Sequence, residues 1–94
     1  MRMVEIETDM DAAGMAEMKL MFEGLANSPD DVWLDLRGVQ FLDSSGVGGI
    51  VFLFKRLRER SLNVTLASVK GQPLRLLRQL RLEFLLERRQ AAAI

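Results

Sequence analysis

The stretch Val32-Trp33-Leu34-Asp35-Leu36-Arg37-Gly38-Val39-Gln40-Phe41-Leu42-Asp43-Ser44-Ser45-Gly46-Val47-Gly48 decides how the rest of the chain is read. Its first five residues form an apolar run of strand length with one charge, the pattern of a strand covered on both faces. Arg37-Gly38 breaks that run. Asp43-Ser44-Ser45-Gly46 then forms a tight polar turn, with Asp43 or Ser44 as the candidate helix cap. Beyond it Val47, Ile50, Val51, Phe54 and Leu57 line one face of a helix, while Lys55, Arg56, Arg58, Glu59 and Arg60 point elsewhere. Strand, polar turn and helix thus follow one another without a linker.

The same alternation extends in both directions. Upstream, Val4-Glu5-Ile6-Glu7 alternates apolar and acidic residues, as in a half-buried or edge strand. Asp11-Ala12-Ala13 opens a helix whose stripe is Met15, Met18, Phe22 and Leu25, with Asp9 or Asp11 as its cap. Asn27-Ser28-Pro29-Asp30-Asp31 is a turn. The methionines of this region (Met10, Met15, Met18, Met21) read as core filler in preference to an adaptable contact surface. Downstream, residues 62–69 alternate with period two and form the next strand. Lys70-Gly71-Gln72-Pro73 turns the chain, with Pro73 suited to the first helical position. Leu74, Leu77 and Leu80 or Arg81 continue a helix with Arg75, Arg78 and Arg81 outside. Phe84-Leu85-Leu86 is a short strand or helix over the core, and residues 91–94 read as a frayed tail. The order strand, helix, strand, helix, strand, helix predicts an α/β domain, a small, mostly parallel sheet covered by helices. No linker, repeat or low-complexity tract divides residues 1–94, so a single domain is expected.

Composition narrows the function. Ninety-four residues, 49% hydrophobic and 28% charged, are the makings of a folded globular domain, not of a disordered chain. With neither Cys nor His, the chain lacks Cys/His zinc sites, thiol nucleophiles and every His-based triad. An enzyme is therefore not expected, nor a metal or cofactor. The longest apolar stretch, residues 46–54, falls far short of the ~20 residues of a membrane span. The acidic N-terminus is no secretory signal, which points to the cytoplasm. Charge is unevenly spread: residues 1–43 carry three basic and ten acidic residues, residues 44–94 ten basic and three acidic. Helical Arg faces pairing with acids of the first half account for this. Nucleic-acid binding through Arg75, Arg78 and Arg81 would also fit the charge, yet lacks an aromatic or helix-turn-helix pattern.

Chemistry concentrates in residues 41–49. A junction between strand and helix exposes N–H groups and a positive helix end. Ser45 falls in the first turn with its hydroxyl near the surface, where a phosphate of about −1.5 to −2 charges is tolerated. A Ser-rich cap with glycines for close packing explains the same residues. A phosphate-binding P-loop is a poor match, since its Gly-x-x-x-x-Gly-Lys-Ser/Thr pattern is absent, and a serine nucleophile has no His as base.

Residues 32–48 resemble the signature of STAS domains, specifically the anti-sigma-factor antagonists of bacterial partner-switching systems: a hydrophobic strand ending in Asp-Leu, then Asp-Ser-Ser/Thr-Gly-Leu-Gly opening a helix. The likeness extends through Leu62–Val69, Pro73–Leu77 and Leu82–Leu86, spanning about Val32 to Leu86. It implies phosphorylation of Ser45 by a GHKL-type serine kinase that is also an anti-sigma factor, reversed by a PP2C-type phosphatase. The unphosphorylated form would bind the kinase and displace its client, acting as a transcription regulator without nucleic-acid contact or membrane insertion. Asp43, Ser44, Ser45, Gly46, Val47 and Gly48 would form the partner-binding loop, with Gly46 and Gly48 permitting close approach. Other STAS domains are accessory subunits of ABC-type lipid transporters and act without phosphorylation; that is the alternative function. The resemblance departs at the N-terminus, where one strand instead of two precedes Thr8-Asp9-Met10-Asp11, which keeps the Asp of the family's Gly-x-Leu-Asp turn and lacks its Gly.

Overall fold

The computed structural model describes residues 1–92. Three strands, β1 (Arg2–Glu5), β2 (Val32–Asp35) and β3 (Val64–Ala67), form a parallel sheet in the order β1-β2-β3. Between and after them come α1 (Ala12–Glu17), α2 (Lys19–Ala26), α3 (Ser44–Arg58), α4 (Gly71–Gln79), a 3₁₀ turn at Glu83–Leu85 and α5 (Arg88–Ala92). The predicted α/β class and its parallel sheet are observed. One strand, β1, precedes α1 among the described residues.

A strand order that follows chain order with right-handed crossovers places successive helices on one side of the sheet. Burial bears this out. Val32, Leu34, Val64 and Leu66 are sealed into one core with Phe22, Leu25, Ile50, Leu53 and Leu57. On the other side the row Met3, Trp33, Thr65 is exposed at Met3 and half-buried at Trp33 and Thr65. The two-sided cover expected for residues 32–36 is therefore corrected: β2 is buried on one face, and its apolar run hides an alternation because Trp33 lies on the open side.

The helices follow their sequence patterns with local shifts. Asp11 caps α1 by accepting the Gly14 N–H at 2.8 Å. The helical path bends at Met18, yet the Phe22 N–H still donates to the Met18 carbonyl at 2.9 Å, so the stripe through Met18, Phe22 and Leu25 stays in register. Met10 and Met18 are core residues and Met15 and Met21 are half-buried. In α3 the buried face is Gly46, Ile50, Leu53 and Leu57, rotated from the predicted stripe so that Val47, Val51 and Phe54 lie at its margin. Pro73 stands third in α4 instead of first, still within the turn whose N–H groups lack helical acceptors. Leu80 is exposed, and Arg81 lies beyond α4 with a left-handed φ of 59°. Phe84 and Leu85 fall in the 3₁₀ turn, and Leu86 bridges to Leu66 along the outer side of β3. Of the tail, Ala91 and Ala92 continue α5, and Ala93 and Ile94 lie outside the described residues.

The expected pairing of late arginines with early acids is not what holds the molecule together. Among the described residues the ion pair is Arg37 with Asp35, both in the first half of the chain. Arg60 instead donates to the main-chain carbonyls of Ser28 and Ala26, and Arg56 to the side chain of Asn27. The carbonyl oxygens at the end of α2 have no intrahelical partner, so a guanidinium fork is a natural donor to them.

Candidate functional site

The carboxyl ends of parallel strands are where α/β folds build sites, because loops and helix N-termini converge there. Here the loop from β2 to α3 occupies that end. Asp35, at the end of β2, accepts from the Arg37 N–H at 3.0 Å and from its guanidinium at 2.9 Å. Burial alone would push the Asp35 carboxyl up, but the Arg37 main-chain N–H and guanidinium, helped by the Ser68 hydroxyl, hold it below its ordinary value.

The loop is tethered on two further sides. The Asp9 carboxylate accepts from Gln40 and Phe41 N–H at 3.0 and 3.2 Å. Met10 and the loop exchange main-chain bonds, Met10 N–H to Phe41 carbonyl and Asp43 N–H to Met10 carbonyl. Gln72, near the start of α4, accepts the Leu42 N–H and donates to the Leu42 carbonyl, each at 2.8 Å. Leu42 itself is fully buried. In sequence Asp9 reads as a candidate helix cap and Gln72 as a turn residue; no local pattern marks either as a tether.

Asp43 is the cap of α3. Its Oδ1 accepts from the Ser45 N–H at 2.8 Å and the Gly46 N–H at 3.3 Å. The cap is thus a carboxylate, leaving both serine hydroxyls free of capping duty. Ser44 is exposed and Ser45 half-buried, the first two residues of the helix. Gly46 is buried: a Cβ there would stand 2.3 Å from the Met10 carbonyl oxygen and 2.4 Å from Leu42 Cδ1. Its lack of a side chain serves the seating of α3 on the chain's own core. Gly48 is exposed, with open space where a Cβ would be, and Val47 is half-buried. Gly49 accommodates the tip of Met15 in the same way that Gly46 accommodates Met10.

One turn further along α3 Phe52 is 36% exposed, with the Arg56 guanidinium 5.6 Å from its ring centre. Ser44, Gly48 and Phe52, spaced by four residues, lie on one exposed stripe of the helix, with Lys55 and Arg56 at its far end. Phe41, 45% exposed, precedes the loop's buried Leu42. The apolar periodicity of residues 47–57 assigns Phe52 to neither face of the helix. Of residues 43–48, Asp43 serves as the cap and Gly46 is buried against the core, while Ser44, Ser45, Val47 and Gly48 are exposed or half-buried. The site presents hydroxyl groups at a helix N-terminus beside an apolar, cation-flanked surface, an arrangement suited to recognition. No helix among the described residues is long and apolar enough to cross a membrane.

Comparison with curated proteins gave no match. Comparison with protein families matched residues 1–92 to one family, so the match takes in β1, the tethered loop, the Asp43-capped helix and everything packed around them. On that match and this fold, the chain belongs to the STAS domain family.

Proposed function

We propose that this STAS domain is an anti-sigma-factor antagonist of a bacterial partner-switching pathway, a binding module working in the cytoplasm and not an enzyme. Its partner is a GHKL-type serine kinase that is also an anti-sigma factor. Unphosphorylated, the domain binds that kinase and releases the kinase's client. Phosphorylation of Ser45 turns binding off, and a PP2C-type phosphatase restores it.

The observation that carries this reading is the division of labour at the start of α3. Asp43 supplies the cap, so the Ser45 hydroxyl is not needed to hold the helix and is available for modification at a partly exposed position. A Ser-rich cap, the plainer explanation of the motif, is thereby weakened. A phosphate on Ser45 would carry about −1.5 to −2 charges beside the Asp43 carboxylate and at one end of the stripe Ser44, Gly48, Phe52. Desolvating such a charge in a contact surface opposes association unless the partner supplies cations.

The test is affinity capture from the native host lysate with unmodified, Ser45→Ala and Ser45→Glu baits, reading bound proteins and the Ser45 phosphorylation state by mass spectrometry. The expected result is recovery of a GHKL-type kinase by the first two baits and not by the third. Recovery of a transporter ATPase by all three, with Ser45 unmodified, would replace this reading with that of an accessory transport subunit.

A further inference from the structure

β1 is an outer strand of the sheet. Arg2 and Ile6 give their N–H groups to the Asp31 and Asp35 carbonyls flanking and ending β2, at 2.8 and 2.9 Å. Alternate residues of a parallel ladder face the neighbouring strand. Met3 and Glu5 therefore turn their N–H and C=O groups away from the sheet, where they meet no hydrogen-bonding partner among the described residues. An edge of this kind is a template for another strand.

Beside the carboxyl-terminal half of that edge lies an open groove of about 310 Å³, lined by Glu5, Ile6, Glu7, Thr8, Met18 and Met21. Its lining is divided by chemistry. Ile6 and Met18 are buried and Met21 half-buried, an apolar floor at the bend between α1 and α2. Glu5, the last residue of β1, and Glu7, just beyond it, are exposed and alternate with the buried Ile6, whose N–H continues the ladder to the Asp35 carbonyl. Met3, 66% exposed, continues the same edge. The nearby Arg37 guanidinium is already engaged by Asp35 at 2.9 Å.

We propose that the outward edge of β1 binds an extended segment of a partner protein by strand addition, and that this segment alternates apolar and basic residues. Side chains of an added strand point alternately to the two faces of the sheet. Those on the helix-covered face meet Ile6, Met18 and Met21; those on the open face meet Glu5 and Glu7. Alternating apolar and basic side chains answer both at once. A second copy of this chain answers them less well, since its own β1 brings further acids, Glu5 and Glu7, to the same edge. The site uses no residue of the Ser45 loop, so it stands whether or not Ser45 is modified.

The experiment is an amide NMR titration of the full chain with a synthetic peptide of about eight residues alternating valine and lysine, and with its valine–glutamate counterpart. The lysine peptide at millimolar concentration is expected to shift the Met3, Glu5 and Glu7 amides, and the glutamate peptide is not. The Glu5→Lys, Glu7→Lys double variant should bind the lysine peptide about tenfold more weakly. Met3→Pro removes an outward N–H that the sheet does not use, and should abolish the shifts while thermal unfolding still shows a folded domain. The proposal is overturned if the lysine peptide gives no shifts, if both peptides shift these amides equally, or if the shifts fall elsewhere. Concentration-dependent shifts of the same amides without peptide would assign the edge to a second copy and overturn the partner segment.

Discussion

The Gln72 carboxamide and the main chain of Leu42 close a two-bond ring, Leu42 N–H to Oε1 and Nε2 to the Leu42 carbonyl, both at 2.8 Å. A side chain at the start of α4 thereby completes, for one residue, the pairing that a neighbouring strand would otherwise supply. Leu42 is the residue before the Asp43 cap, so the ring fixes the approach of the chain to Ser44 and Ser45. Gln72→Ala leaves a main-chain N–H and C=O without their partner and should cost about 1–3 kcal/mol in denaturant unfolding. Hydrogen exchange at the Leu42 amide should accelerate beyond what the global loss of stability explains. Gln72→Glu keeps an acceptor for the N–H but sets a carboxylate against the Leu42 carbonyl, and should recover little of the loss. Unchanged exchange at Leu42 in both variants would show that the ring does not hold the loop.

Gly46 and Gly48 lie two residues apart on α3 and should respond oppositely to alanine. At Gly46 a Cβ would meet the Met10 carbonyl oxygen and Leu42 at under 2.5 Å, and main chain cannot yield as a flexible side chain does. Gly46→Ala should destabilise by about 1–3 kcal/mol. At Gly48 the space is open, and removing a helical glycine should stabilise by about 0.5–1 kcal/mol. Chemical unfolding of both variants checks the pair. Gly48→Ala also separates folding from recognition: a variant that is more stable yet binds the kinase less tightly would place Gly48 in the contact surface.

The contrast between these glycines also shows what the sequence makes legible. Asp43, Ser44, Ser45 and Gly46 are consecutive, and a cap acts over two or three residues, so the motif and its helix could be read directly from local chemistry. The stripe Met15, Met18, Phe22, Leu25 survived the bend at Met18 because the hydrogen bond across it kept the helical phase. Trp33 misled the reading of β2, since an apolar side chain on the open face of a sheet is indistinguishable in sequence from one in the core. The rotation of α3 toward Leu53 depends on which face meets α1 and α2, and nothing within α3 records it. Asp9 and Gln72 act on main-chain groups about thirty residues away, which carry no residue identity at all. The late arginines were misassigned for the same reason: Arg60 answers carbonyl groups, and any sequence at the end of α2 would offer them.

Asp35 makes stability depend on acid. Its folded-state carboxyl lies below the ordinary value of 3.8 because the Arg37 N–H, the Arg37 guanidinium and the Ser68 hydroxyl together outweigh the upward push of burial. A depressed carboxylate stabilises the folded state above the unfolded pKa, and the contribution disappears as pH falls through the folded value. The Asp35 contribution should therefore be complete at neutral pH and fade below about pH 3.8. Asp35→Asn should lower stability at neutral pH and flatten the acid limb of the profile. Denaturation midpoints of the two proteins measured across that range should converge toward low pH; parallel profiles would deny Asp35 its role.

Arg60 joins the end of α3 to the end of α2 through two bonds of 2.6 Å to the Ser28 and Ala26 carbonyls. Ser28 is itself buried, and its hydroxyl closes the turn by donating to the Asp30 carbonyl and accepting the Asp30 N–H. Charge-assisted bonds to carbonyls are stronger than neutral ones, but the arginine is largely exposed and part of the gain is screened. Arg60→Ala should cost about 1–2 kcal/mol in thermal or chemical unfolding. Arg60→Lys should restore less than half of this, because one ammonium on a flexible stem cannot match two carbonyls as a planar fork does. Full rescue by lysine would mean that charge at the end of α2, and not the fork, is what stabilises this corner.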